Sequence, residues 1–188
     1  MSYRVGYFVG SLSSTSINRK LAQALVKLGA EGVEFVEIPI KDLPLYSPDY
    51  DADYPAEGKA LKEALASVQA VLFVTPEYNR SIPGALKNAI DWASRPWGQN
   101  SFDHKPTAII GASIGAIGTA VAQQGLRAVM AFCNARQMTA PEAYIHFTEG
   151  MVDEDGNVAN DDTRDFLQNF MREFDEHTRR VLQVLPQG

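Results

Sequence analysis

Five times along this chain a short run of apolar β-formers gives way to a segment whose apolar residues recur at helical spacing, and that alternation restricts the fold more than any other feature. The runs are 4–10 (RVGYFVG), 32–40 (GVEFVEIPI), 70–75 (AVLFVT), 107–113 (TAIIGAS) and a fifth pieced together from 137–141 (QMTAP) and 143–147 (AYIHF). AVLFVT is apolar up to its final threonine, the pattern of a strand covered on both faces at the centre of a parallel sheet. Between the runs, Ile17, Leu21, Ala24, Leu25 and Leu28 make one helical stripe that stops at Gly29, and Leu61, Ala64, Leu65 and Val68 make a second. Leu86, Ala89, Ile90 and Ala93 make a third, for which Ser81 is the expected N-cap and Pro83 lies in the first turn. The segment 116–135 reads as a fourth helix with Gly125 inside it, and 161–185 as a fifth with Phe166, Phe170, Phe174, Val181 and Leu185 on one side. Alternation of this kind predicts the α/β fold class, a three-layer domain with a five-stranded parallel sheet. The 188 residues suit one domain, 1–188, with a full core.

Charge narrows the partners. Lys and Arg number 17 against 23 Asp and Glu, a formal net charge of -6, and no cluster of basic residues offers a footprint for nucleic acid or a membrane. A single cysteine, Cys133, rules out an intrachain disulfide framework, and the opening MSYRVGYFVG has neither a charged leader nor a long apolar stretch. A cytoplasmic protein is expected.

Open α/β sheets bind ligands outside the carboxyl ends of their strands, where strand order reverses, so the loops after strands one, three and four matter most. In the first, GSLSSTSIN (10–18), hydroxyl side chains and an amide crowd an exposed helix N-terminus, where unpaired N–H groups and the positive end of the dipole favour an anion. It is neither a Walker loop nor G-x-G-x-x-G, so a terminal phosphate held by hydroxyls suits it better than a pyrophosphate. The same serines and threonines also make sense as plain helix caps and turn formers. The second loop holds Glu77, Tyr78, Asn79 and Arg80 at the mouth of the central strand, with side-chain and backbone groups for a planar ring or, alternatively, for solvent alone. The third, GASIGAIGT (111–119), has Ser113 where a dinucleotide fingerprint would have its first glycine; its small residues admit either a flat ligand or a closely packed helix.

GSLSSTSINRKLA, TPEYNRSIPGALKNAIDW and GASIG together resemble the NADPH-dependent FMN reductase and quinone reductase family, and the likeness extends from the first strand to the last helix. P-E-Y-N-x-S-x-P-G-x-L-K-N-A-I-D is its most specific part. The resemblance implies a flavodoxin-like domain with noncovalent FMN, its phosphate in the first loop at Ser11, Ser16 and Asn18, with Ser13 and Ile17 between them. It places the isoalloxazine against Pro76, Glu77, Tyr78 and Asn79, with Ser113 and Gly115 on the third side. Several relatives have an arginine where this chain has Ser13. The resemblance further implies NADPH or NADH as co-substrate, and hydride transfer to a small-molecule electron acceptor such as a quinone, with free flavin, chromate or azo dyes as other acceptors. It also implies a homodimer or homotetramer. The cofactor carries the redox chemistry, so no catalytic acid or base is required. Arg80 and Arg95 are candidates for the NADPH phosphates.

Other features carry less. DEDGN (153–157) has its glycine in the wrong place for a calcium loop and reads as a β-turn. His104, His146 and His177 lack metal-ligand spacing, and no metal is expected; Cys133 reads as a buried small hydrophobe within a helix. Tyr46, Tyr50 and Tyr54 either rim a substrate cleft or pack over the sheet edge. The competing reading is an electron-carrier flavodoxin, which would cover its flavin with aromatic and acidic residues. A receiver module is excluded by GS after the first strand, and a dinucleotide-only domain by the missing glycines.

Overall fold

The computed structural model describes residues 2–185; Met1 and 186–188, the outermost residues of the expected 1–188 domain, lie outside the described residues. Strands β1 (Tyr3–Val9), β2 (Val33–Glu37), β3 (Ala70–Val74) and β4 (Pro106–Ser113) alternate with helices α1 (Ile17–Lys27), α2 (Ala56–Ala66), α3 (Gly84–Ala93) and α4 (Ala120–Phe132). Two short strands, β5 (Arg136–Gln137) and β6 (Tyr144–His146), precede the long α5 (Asp161–Val184). All pairings between these strands are parallel, in the order β2-β1-β3-β4-β5, with β6 also on β4. The fifth place in the sheet is therefore divided. β5 pairs with Pro106 and Thr107 at the start of β4, and β6 pairs with Gly111, Ala112 and Ser113 at its end, as the two separate runs in the sequence suggest.

One apolar cluster lies on each face. Leu21, Ala24 and Leu25 of α1 join Leu167, Phe170, Met171 and Phe174 of α5 against Val5, Leu72, Val74 and Ile110. On the other face, residues of α2, α3 and α4 pack on Phe8, Val71, Phe73 and Ile109, with the Phe8 and Phe73 rings stacked at 5.2 Å. Every residue of β3 is buried, as its unbroken apolar run predicts for a central strand. Crossovers by helices on both faces make this the three-layer, flavodoxin-like α/β fold.

Some local expectations shift. Phe166 is 39% exposed, and Leu167 and Met171 face the core in its place; the stripe of α5 is rotated by one residue, because Leu167, Phe170, Met171 and Phe174 follow the helical repeat more closely than steps of four. α4 starts at Ala120, after a turn in which Gly118 takes φ +63, and runs unbroken through Gly125, whose outer side meets only open space. Cys133 is buried but caps α4 at its C-terminal end instead of sitting inside it, and burial pushes its thiol pKa upward. Tyr46, Tyr50 and Tyr54 surround Trp92, with ring centroids at 5.2, 5.4 and 4.9 Å. Trp92 donates its indole N–H to Pro44 O at 2.7 Å, so this aromatic group pins loop 43–54 over α3. DEDGN is a turn closed by Gly156 N–H donating to Asp153 O at 3.1 Å.

Candidate functional site: a groove at the carboxyl edge of the sheet

β1 lies between β2 and β3, so the chain crosses to one side after β1 and to the other after β2, and the loops after β1 and β3 part at that switch. Val9 is paired with Val74 and Val74 with Ile110, which brings the ends of β1 and β3 level, while β4 runs on to Ser113 alongside β6. Above them lies a groove of about 270 Å³ lined by Ser11, Ser16, Asn18, Pro76, Tyr78 and Ser113, with Ile17, Glu77 and Ile114 also at its walls. Of the positions expected from sequence, Ser13, Asn79 and Gly115 flank the groove on its loops without lining it.

The wall from the first loop is built around the start of α1. Ser16 is the N-cap, its Oγ accepting from Arg19 N–H at 3.2 Å, and the Ser11 Oγ accepts from Ser13 N–H at 3.3 Å. Ser13 and Thr15 are exposed, with their hydroxyls 3.2 Å apart. No acidic residue occupies the first turn of α1, and Arg19 is turned away to a bidentate pair with Glu37 at 2.9 and 3.0 Å. The first amides of the helix, from Ile17 and Asn18, have no intrahelical acceptor, and no carboxylate in the first turn competes for them, so this end can accept an anion. Asn18 is 1% exposed and serves another purpose as well: its amide accepts from Ala112 N–H and donates to Ala112 O, both at 2.9 Å. It ties the first loop to β4.

The second wall answers why polar residues stand at the mouth of the most apolar strand. Tyr78 and Ser81 exchange two backbone hydrogen bonds at 3.0 Å, and the residues between them, Asn79 and Arg80, have φ of 51 and 62. Positive φ at both central residues is the type I′ hairpin, an uncommon conformation for an arginine and costing about 1–2 kcal/mol there. Ser81 thus closes the hairpin and is not the N-cap of α3; Pro83 takes that position with no side-chain bond. The hairpin lifts Tyr78, 49% exposed, beside the groove. Glu77 reaches the other way: its side chain is 8% exposed, Oε2 accepts from Val121 and Ala122 N–H at 3.0 Å each, and Oε1 pairs with Arg80 at 3.3 Å. Sequence reasoning marked Glu77 as a group for the ring and missed this cross-loop cap; Glu77 lies 44 residues before the first of the α4 amides that donate to it, and no local pattern announces it.

The third wall is fixed by β6. Phe147 N–H donates to Ser113 O at 2.8 Å and the His146 ring meets Ile114 O at 3.1 Å. Ser113 Oγ accepts from Gly115 N–H at 3.1 Å, and a methyl group built on Gly115 would touch only that hydroxyl, at 3.5 Å, so a flat group can approach the backbone here. Gly111 is different, since a Cβ there would stand 2.0 Å from Thr75 O; close strand packing explains it. Arg95 lies at the far edge of the sheet, because α3 carries the chain back to the start of β4, and its guanidinium rests over Trp97 at 5.6 Å. A larger hollow there, about 360 Å³ between Arg95, Trp97, Phe132 and Cys133, has Asn100 bonded to Cys133 O at 2.6 Å.

Hydroxyls and helix amides without a rival acid on one side, apolar Pro76, Ile114 and Tyr78 and an uncovered glycine backbone on the other, fit a phosphorylated planar ligand and define a flavodoxin-like nucleotide-binding protein. Comparison with known sequences specifies it further. Residues 3–150 match the NADPH-dependent FMN reductase family model, and the chain belongs to that family, whose cofactor is FMN with NAD(P)H as electron donor. It is 49% identical over 174 residues to a 2-hydroxy-1,4-benzoquinone reductase from a Burkholderia species, covering 93% of this chain and 95% of the relative. It is 46% identical to a quinone reductase from Pseudomonas putida, covering 92% of each. The solved structure of FerB, a flavoenzyme NAD(P)H:(acceptor) oxidoreductase from Paracoccus denitrificans, is similar with a TM-score of 0.91 and 44% identity, over 95% of this chain and 98% of that one.

Proposed function

We propose that this chain, as one domain, binds FMN in the groove at the carboxyl edge and reduces quinones with two electrons taken from NADPH or NADH. The observation that carries the reading is the open α1 N-terminus bordered by Ser11 and Ser16, with apolar and small residues opposite it, in a chain 49% identical to a benzoquinone reductase. FMN, when bound, supplies the hydride chemistry. The protein supplies position. Ile17 and Asn18 amides, with the Ser11 and Ser16 hydroxyls, would receive the phosphate; Pro76 and Tyr78, with the backbone of Glu77 and Asn79 behind them, would border the ring on one side and Ser113, with Gly115 next to it, on another. No aromatic lid closes the groove, since Tyr78 and Ile114 leave it open at 49% and 79% exposure. One open face serves donor and acceptor in turn, and ping-pong kinetics follow. Free flavin, chromate and azo compounds are further acceptors for a face with so little selection. Arg80, 67% exposed two residues from Tyr78, is a candidate cation for the dinucleotide phosphates.

The α4 surface supports a homodimer or homotetramer, because Val121, Gly125, Ala128 and Phe132 follow one another on its exposed side with no charged residue among them. Among the described residues no helix is long and apolar enough to cross a membrane; with the acidic net charge of -6 and the lone Cys133, we place the protein in the cytoplasm, away from nucleic acid and membranes.

The test is steady-state oxidation of NADPH and NADH with a panel of quinones, together with the absorbance of the purified protein. Parallel double-reciprocal lines and a flavin spectrum are expected. Flavin that nicotinamide bleaches only through an added reductase would instead make this an electron carrier of the flavodoxin type.

A further inference from the structure

The α1 N-terminus lines the groove, and that of α4 lies behind Glu77, a residue at the groove wall; both helix ends would attract an anion. They are treated differently. At α4 the residue in the N-cap position, Thr119, makes no cap: its backbone is at φ -123, ψ 33, and its fully buried hydroxyl accepts from the Gln123 side chain at 2.8 Å. The first turn of α4 contains no acidic residue either. The amides left over, Val121 and Ala122, are instead taken by Glu77 Oε2 at 3.0 Å each, while Arg80 holds the other oxygen. A carboxylate from the ring loop has been inserted where a free anion would bind.

We propose that Glu77 is a positioning residue that fills the anion seat of α4, leaving the α1 N-terminus as the place where the flavin phosphate settles. The role rests on reading the groove as the FMN site. Without Glu77 the Val121 and Ala122 amides would be open to an anion beside the ring loop, a second seat that would compete for the phosphate with the one at α1. The same carboxylate joins the hairpin of Asn79 and Arg80 to α4, so the side chain that removes the rival seat also holds the ring loop in register.

The variants are Glu77→Ala and Glu77→Gln, and the first readout needs no flavin. Sodium acetate and then inorganic phosphate are titrated into the apo protein while the backbone amide resonances of Val121 and Ala122 are followed. In the wild type these two resonances are expected to stay fixed; in Glu77→Ala both shift and saturate with either anion. Glu77→Gln keeps an acceptor oxygen in the seat but loses the charge, so its amides shift with phosphate only at higher concentration than in Glu77→Ala, which keeps the proposal testable should the alanine variant fold poorly. In the FMN-loaded Glu77→Ala protein, flavin bleaching by NADPH slows roughly tenfold and acetate restores it, as refilling the seat of a charge-assisted pair requires. Lost packing alone would not be repaired by a two-carbon acid. Amides that remain fixed in both variants overturn the proposal. A wild-type protein that retains no FMN, while the variants still take acetate at Val121 and Ala122, overturns the flavin reading of the groove and leaves the role of Glu77 at α4 intact.

Discussion

At the edge of the sheet where the strands begin, Lys62 donates to Ala93 O, Arg95 O, Gln99 O and the Ser101 hydroxyl at 2.6 to 3.2 Å, and Lys105 donates to Val68 O at 2.7 Å. On the other face of the sheet, Tyr3 bonds to Asp175 at 2.7 Å and Arg179 to Asp175 at 2.9 Å. At the edge where the strands end, Ser13 and Thr15 stand exposed, the amides opening α1 lack helical acceptors, and Arg80 spends its strained backbone on presenting a hairpin. Both edges carry polar residues in similar variety. The difference is whether those groups are consumed by the chain itself, and this tells a stabilising edge from a binding edge better than the size of the hollows does.

Removing a consumed group and removing an available one should then have opposite signatures. The largest effect is expected from Lys62→Met, which strands three carbonyls and a hydroxyl around one ammonium and costs about 2–3 kcal/mol in urea unfolding, while the FMN affinity of the folded fraction is unchanged. Flavin loss in proportion to the lost stability would erase the distinction between the edges. Next is Asn18→Ala, which breaks both bonds to the Ala112 backbone and leaves it unpaired in a buried place; about 2 kcal/mol of stability and a clear part of the FMN retention should go together. Ser16→Ala removes a cap worth about 1 kcal/mol, yet its effect on FMN should exceed its effect on melting, since the same hydroxyl borders the proposed phosphate seat. Unchanged flavin affinity in both of these variants would argue against that seat.

How much of this could be read from residues alone differs between the edges in the same way. The parallel sheet, its buried centre at 70–74 and the split fifth strand were legible because burial on two faces imposes an apolar pattern on consecutive residues. The three loops were legible as a group because their strands are parallel and end at one edge of the sheet. Long-range polar pairing was not: Glu77 with Val121, Asn18 with Ala112 and Lys62 with Gln99 join residues 37 to 94 positions apart, and nothing local to either partner records the bond. Ser81 misled for a related reason, since a serine suits an N-cap and a hairpin closure equally well and only the backbone of Asn79 and Arg80 decides between them.

Acid should weaken the consumed edge selectively. Burial pushes the Asp175 carboxyl up, but the hydrogen bonds from Arg179 and Tyr3 outweigh it and hold the pKa below the ordinary value. A carboxyl with its folded pKa depressed stabilises the protein above its unfolded pKa of about 3.9 and loses that contribution as the pH falls through the lower folded value. Asp175→Asn is therefore expected to flatten the stability profile below about pH 4, where the wild type declines, and a profile identical to the wild type would remove Asp175 from the account. The smallest effect expected is a gain: Ser13→Arg adds a cation beside the phosphate seat and should tighten FMN about threefold at low salt, with the benefit fading as salt is raised.

The most direct measurement follows every backbone amide as FMN is added to apo protein. Shifts confined to Ser11–Asn18, Glu77–Asn79 and Ser113–Gly115, with 94–105 unmoved, are the expected result. Shifts centred on 94–105 and Phe132, or none along the carboxyl edge at saturating FMN, would contradict it.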